Sequence, residues 1–297
     1  MKTERSLALD LSFMNAATLL LPATETWNFV LVGCGGTGSW LAPSVARIAR
    51  VIQEQGKTAN LWFVDPDEVE EKNIPRQNFC QAELGQDKAA TLAGRLSAAW
   101  GLDIRVSREG FDFAKIGAGN WLSYDSVTVL VGCVDNAAGR KAIAKALEWN
   151  RADGAHRRWW LDCGNTEHSG QVLFGSSVQP KQFDGAMVSS KICRALPGPS
   201  LVAPDLLVAR TEEASRNKRS CAEIQLANAQ SLAVNQMVAS IATDYLLRIV
   251  FGGLNRFATY FDLASGSMRS LYCSAEEIAK FAKPSKRRAN AALVEVE

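Results

Sequence analysis

At 297 residues the chain can bury a sizeable core and is long enough for one large domain or two small ones. Its 33 Lys and Arg against 31 Asp and Glu leave a formal net charge of +2, so bulk charge supplies no strong pull toward nucleic acid or a membrane surface. Neither class of partner is expected.

The N-terminal stretch MKTERSLALDLSFMNAATLLLPATE carries an apolar patch broken by charged and polar residues, without a small-residue cleavage site. No apolar run reaches membrane-spanning length, which points to a cytoplasmic protein. Residues 1–26 read as a segment ahead of the fold. Next, FVLVGCGGTGSW predicts a strand over 28–34, a turn and a helix over about 38–54. Gly33, Gly35 and Gly38 spell G-x-G-x-x-G in that setting. Such a turn brings backbone N–H groups close to a polyphosphate, with the positive end of the helix dipole behind them. The competing reading is a glycine-rich turn used only for packing.

A strand over 60–65 ends in Asp65, where a dinucleotide-binding fold puts the carboxylate that accepts from ribose hydroxyls. A nicotinamide-dependent dehydrogenase and an ATP-using enzyme would both place an acid there. The following residues separate them, because Asn73, Arg76, Gln77 and Lys88 gather polar and cationic groups just past the strand. NAD needs no such cluster, whereas the β and γ phosphates of ATP, with their metal, carry charge that a glycine turn alone does not balance.

Further on, the pattern predicts a helix over 85–99, strands at 103–107 and 126–134, a helix over 137–150, and strands at 158–163 and 170–176. Strands alternating with helices in this way predict a Rossmann-like, doubly wound α/β sheet, mainly parallel and covered on both faces. From 177 to 220 no period is visible, and the stretch reads as a long, partly mobile crossover loop of the kind that often carries function. A helix over 222–250 follows, its apolar face made by Ile224, Leu226, Leu232, Val234, Met237, Ile241, Leu246 and Leu247, and Gly252-Gly253 ends it. Short strands near 257–263 and 268–273 form an antiparallel extension. The tail, 284–297, runs from basic to acidic. Seven cysteines lie scattered without a C-x-x-C pair, which argues against a disulfide framework or a four-cysteine zinc site. Two histidines, His156 and His168, are too few for a histidine-rich metal site or a histidine-based triad.

Five elements in order, Gly33-Cys34-Gly35-Gly36-Thr37-Gly38, Asp65-Pro66-Asp67-Glu68-Val69, Asn73-Ile74-Pro75-Arg76-Gln77, Gly85-Gln86-Asp87-Lys88 and Cys133-Val134-Asp135-Asn136, resemble the ThiF/MoeB/HesA family of adenylating enzymes, which also forms the core of ubiquitin-activating enzymes. The resemblance covers residues 27–176 well and the later helix more loosely, and it implies one adenylation domain over 27–283. It implies that Asp65 takes the ribose, that Gly33, Gly35, Gly36 and Gly38 line the phosphates, and that Asn73, Arg76, Gln77 and Lys88 hold and polarise them. Asp135 would hold Mg²⁺, with Asn136 beside it. The implied partner is a small ubiquitin-like protein or sulfur carrier, whose C-terminal carboxylate is adenylated by ATP, and the family habit implies a homodimer.

Two family features are missing. The N-terminus offers only Arg5 where many members carry an arginine that crosses the dimer, and the region Lys191 to Pro197 holds one cysteine where many hold zinc pairs, so no structural zinc is expected. Within the family, the large crossover segment and the missing zinc pairs resemble the ThiF-like protein of the plasmid-borne PRTRC cassette. Some members pass the activated tail to a thiolate. Cys221, after Lys218 and Arg219 and ahead of the long helix, suits that task, with Cys193 the second candidate; packing is the competing reading for both. Cys34 and Cys133 read as packing residues. The alternatives to an adenylating enzyme are a nicotinamide-dependent oxidoreductase and a non-catalytic scaffold for a ubiquitin-like protein.

Overall fold

A computed structural model of the protein describes residues 11–117, 125–151, 155–209 and 221–282, with side chains from residue 232 onward in the last stretch. The described residues form an eight-stranded sheet. β2 (Thr26–Val32), β3 (Thr58–Val64), β4 (Ile104–Ser107), β5 (Val127–Gly132) and β6 (Arg158–Asn165) run parallel in the order β4-β3-β2-β5-β6. β7 (Ser169–Gly175), β10 (Arg256–Asp262) and β11 (Ser267–Tyr272) then extend it antiparallel.

Period-2 burial on both faces explains why β2 and β5 read as unbroken apolar runs. Phe29, Leu31, Val129 and Val131 join the core under α1 (Gly36–Glu54), α2 (Lys88–Trp100) and the long α6 (Cys221–Phe251). Their neighbours Val30, Val32 and Leu130 point the other way, onto Trp160 and Ile143 of α4 (Ala137–Leu147), with Ile116 of α3 (Phe113–Gly117). Trp159 and Trp160 are adjacent and fully buried on opposite faces, so truncating either should cost about 3–5 kcal/mol. Strands leave β2 in opposite directions, toward β3 and toward β5. The carboxyl end of β2 is thus the switch point where open α/β sheets take ligands.

Three expectations shift. β2 stops at Val32 rather than 34, because Gly33 turns the chain out of the sheet at φ +91. α2 begins at Lys88 rather than 85, since Gly85 at φ +75 and Asp87 in extended conformation precede it. The larger correction concerns 177–220. As far as residue 209 this stretch is packed: β8 (Met187–Ser189) and β9 (Ile192–Cys193) join β1 (Thr18–Leu19) in a small sheet, and α5 (Pro199–Val202) follows. Elements of two to four residues are too short to show a period. At its root the backbones of two segments interlock. A Cβ on Gly175 would lie 2.1 Å from the Pro197 carbonyl oxygen, and one on Gly198 would lie 2.4 Å from that of Ser177.

The closing helix α7 (Ala275–Ala282) was not expected, and it packs Ile278 into the core. The tail, 284–297, lies outside the described residues. Among the described residues no helix is long and apolar enough to cross a membrane.

Candidate nucleotide site

The glycine turn connects β2 to α1 at the switch point. Gly38 has no room for a side chain, because a Cβ there would lie 1.9 Å from the Gly33 carbonyl oxygen and 3.2 Å from the Cys133 side chain. Gly35 is different: its Cβ position meets only the Gln77 amide, at 3.7 Å. The turn is therefore tight underneath and open at Gly35.

Asp65, at the end of β3, is drawn to this turn. Its carboxylate accepts from the Cys34 N–H at 2.6 Å and the Asp67 N–H at 2.9 Å. Burial pushes the carboxyl above its usual range, while those two donors and the Lys88 ammonium pull the other way. Lys88 opens α2 with its side chain only 6% exposed and bonds Asp67 at 2.9 Å, whose side chain is 65% exposed. A buried ammonium held by a solvent-facing carboxylate can exchange that partner for a phosphate oxygen.

The loop carrying Arg76 and Gln77 is strapped to the first turn of α1. Trp40 Nε1 donates to the Arg76 carbonyl at 3.1 Å, and the Asn78 N–H donates to Ser39 Oγ at 2.9 Å. Asn78 Nδ2 also donates to the Ser39 carbonyl at 3.2 Å. Gln77 is buried beside Gly35, and its Oε1 has no partner among the described residues. Asn73 is buried too, with its Oδ1 accepting from the Glu70 N–H at 2.9 Å, so its side chain holds the loop from within.

Asp135 and Asn136 leave β5 next to the glycine turn, since Cys133 packs under Gly33 and Gly38. Asp135 is exposed, and Asn136 caps α4 by accepting from the Gly139 N–H at 2.8 Å. Alongside them Arg140 bonds the fully buried Asp162 at 3.1 Å. Burial pushes the Asp162 carboxyl up to about 6 despite the guanidinium.

The cysteines divide by burial. Cys193 is fully buried, donates to the Ala195 carbonyl at 3.0 Å, and has its thiol pushed by burial up to about 12. That places the second nucleophile candidate in the core, without a thiolate near neutral pH. Cys34 is buried and pushed up likewise, and Cys163 is pushed up by its hydrogen bond with Cys133 and by burial. The Cys221 side chain lies outside the described residues.

Sequence reasoning missed three polar residues at the back of the turn. Asn235 of α6 donates Nδ2 to the Arg76 carbonyl at 3.3 Å and accepts at Oδ1 from Thr37 Oγ1 at 3.2 Å. Asn165 Nδ2 donates to the same Oδ1 and, at 3.3 Å, to Thr37 Oγ1. The one available signal was an Asn amid the apolar positions of α6, between Val234 and Val238.

The polar groups fit ATP, with donors for its phosphates and acceptors for its ribose and base. A glycine turn at a helix N-terminus, an acid beside it, a buried ammonium and an orphaned Gln77 oxygen are what a nucleoside triphosphate can use. Among the described residues no group of three His, Cys, Asp or Glu side chains is arranged to hold a metal. One carboxylate, Asp135, is still enough for Mg²⁺ when phosphate oxygens and waters complete its octahedron.

The ThiF family profile matches residues 21–278. No curated protein sequence matches the chain. Among solved structures, PaaA superposes with a TM-score of 0.52 at 14% identity, covering 84% of this chain and 65% of that one. E. coli MccB with ATP gives 0.50 at 13% identity, and MccB with selenomethionine MccA gives 0.51 at 11%; each covers 83% of this chain and 63% of the other. The likeness to these structures is one of fold, and the chain spans just under two thirds of their length.

Proposed function

Because the chain belongs to the ThiF family, we propose that it is an ATP-dependent adenylyltransferase acting on the C-terminal carboxylate of a small ubiquitin-like or sulfur-carrier-like protein. One observation carries the reading: Asp65 and Gln77 meet the same glycine turn, and the adjoining buried ammonium of Lys88 is held by an exposed carboxylate. The solved MccB structures with ATP and with MccA support a nucleotide and a peptide or protein partner.

In the proposed reaction a carboxylate oxygen of the partner attacks the α-phosphorus. The bond to the bridging oxygen breaks and pyrophosphate leaves with the electron pair. Asp65 holds the ribose, the N–H groups of Gly35, Gly36 and Gly38 line the phosphates, Asn73 supports Arg76 and Gln77 from inside its loop, and Lys88 lies with them on the leaving side. Positive charge fixed there stabilises the departing pyrophosphate. Bound Mg²⁺ would neutralise phosphate oxygens, held by Asp135 beside Asn136. Where a thioester follows, the Cys221 thiolate attacks the acyl carbon, a C–S bond forms, and AMP leaves as the C–O bond breaks. We further propose a homodimer.

Partner-dependent exchange of pyrophosphate into ATP tests the reading, together with thermal shifts and a solution mass. MgATP is expected to stabilise the protein and NAD to leave it unchanged. Asp135→Ala should abolish exchange with the fold intact, and Arg76→Ala should slow it about a hundredfold or more. Stabilisation by NAD alone would overturn the proposal.

A further inference from the structure

Asn235 is 1% exposed on the face that α6 turns to the core, where an amide must find partners for both its ends. It finds them in three segments far away in sequence: Arg76 in the loop after β3, Thr37 in the glycine turn and Asn165 at the end of β6. The Arg76 carbonyl thereby receives two donors, Trp40 Nε1 from α1 at 3.1 Å and Asn235 Nδ2 from α6 at 3.3 Å. The same amide accounts for Gly36, since a Cβ there would lie 2.9 Å from Asn235 Nδ2 and Oδ1. A side chain at that position would therefore have to displace the Asn235 amide. A leucine would keep an apolar contact between α1 and α6 but would leave the Arg76 carbonyl, the Thr37 hydroxyl and the Asn165 amide each short of a partner. What the amide adds is a fixed distance.

We infer that Asn235 is a positioning residue, through which α6 holds the glycine turn and the Arg76 loop at the one spacing that suits a triphosphate between them. The inference rests on the adenylating reading of the site. Since α6 is also the helix that follows the crossover segment, displacing it would shift turn and loop together.

Hydrogen exchange of the full-length protein without nucleotide tests the inference independently of any reaction. Asn235→Ala should speed exchange about tenfold or more in residues 36–40 and 73–79 and leave β5 and β6 protected. Asn235→Asp, measured at high pH where the carboxyl is ionised, sets an acceptor against the Arg76 carbonyl, so it should loosen 73–79 more than 36–40; it also serves if the alanine variant does not fold. Gly36→Ala should lower the melting temperature, and combining it with Asn235→Ala should cost less than the two single losses added. In the pyrophosphate-exchange assay Asn235→Ala alone should show kcat lowered about tenfold or more, with the KM for the partner protein unchanged. Wild-type protection in both segments, a uniform loss across the domain, or full activity in Asn235→Ala would overturn the role of Asn235. A wild type that neither binds ATP nor exchanges pyrophosphate would overturn the adenylating reading, while the exchange pattern still decides Asn235.

Discussion

The side-chain amide of Asn78 reaches the Ser39 carbonyl at 3.2 Å, the helical oxygen to which Pro43, four residues on, brings no N–H. A gap in the hydrogen-bond ladder of α1 thus becomes the docking point of the Arg76 loop. Asn78→Ala should cost about 1–3 kcal/mol, the range for leaving a part-buried acceptor without its partner. Pro43→Ala should recover part of that loss in the double variant by returning a helical donor. Urea denaturation of the four proteins measures it, and additive effects would mean that the two sites are independent.

Arg140 and Asp162 form the buried ion pair of α4 and β6. Arg140→Ala leaves a fully buried carboxylate alone and should destabilise by about 3–5 kcal/mol at neutral pH. The Asp162 carboxyl is raised from 3.8 to about 6 by burial, so its contribution is fully present below the unfolded value and is lost as pH rises through about 6. Compared with Asp162→Asn, the wild type should therefore gain stability as pH falls from about 7 to 4. Urea midpoints of both proteins across that range check the sign.

Lys88→Met keeps the length and packing of the side chain while removing its charge. It should fold, because the Asp67 carboxylate left behind is mostly exposed, yet slow pyrophosphate exchange about a hundredfold or more. Lys88→Arg should not rescue it, since a guanidinium does not fit a pocket filled by a single ammonium. Near-normal exchange by Lys88→Met would remove Lys88 from the site.

Much of this site is local in sequence and so could be read there. The run from Phe29 to Gly38 is strand, turn and helix in ten residues, and Asp65 ends the neighbouring strand. The Asn235, Asn165 and Thr37 cluster could not be read, because its members meet only when α6 crosses the end of β6 over the turn. Asn73 and Asn136 carry a second meaning that the motif hides: one holds its loop from inside and the other caps α4. The packed stretch 177–209 stayed invisible for want of any element long enough to repeat.

Thiol chemistry should follow burial. In the folded protein a small alkylating reagent should label exposed Cys80 quickly and leave Cys34, Cys193 and Cys273 unmodified. If the partner is carried as a thioester, Cys221→Ala should spare pyrophosphate exchange and remove a covalent band that reducing thiols also remove. A band that survives in Cys221→Ala and disappears in Cys193→Ala would require the core around Cys193 to open.

The interlocked glycines at the root of the crossover make that root a fixed mount. Because Gly175 and Gly198 leave no space between the backbones they join, the spacing of these two segments is set at main-chain level. A residue inserted or deleted at 175–178 or 196–198 should accordingly disrupt the fold, while a foreign peptide spliced into the exposed turn between β8 and β9, after Ser190, should leave the sheet in register. For anyone wishing to graft a new recognition segment onto this scaffold, the chain itself marks where to cut.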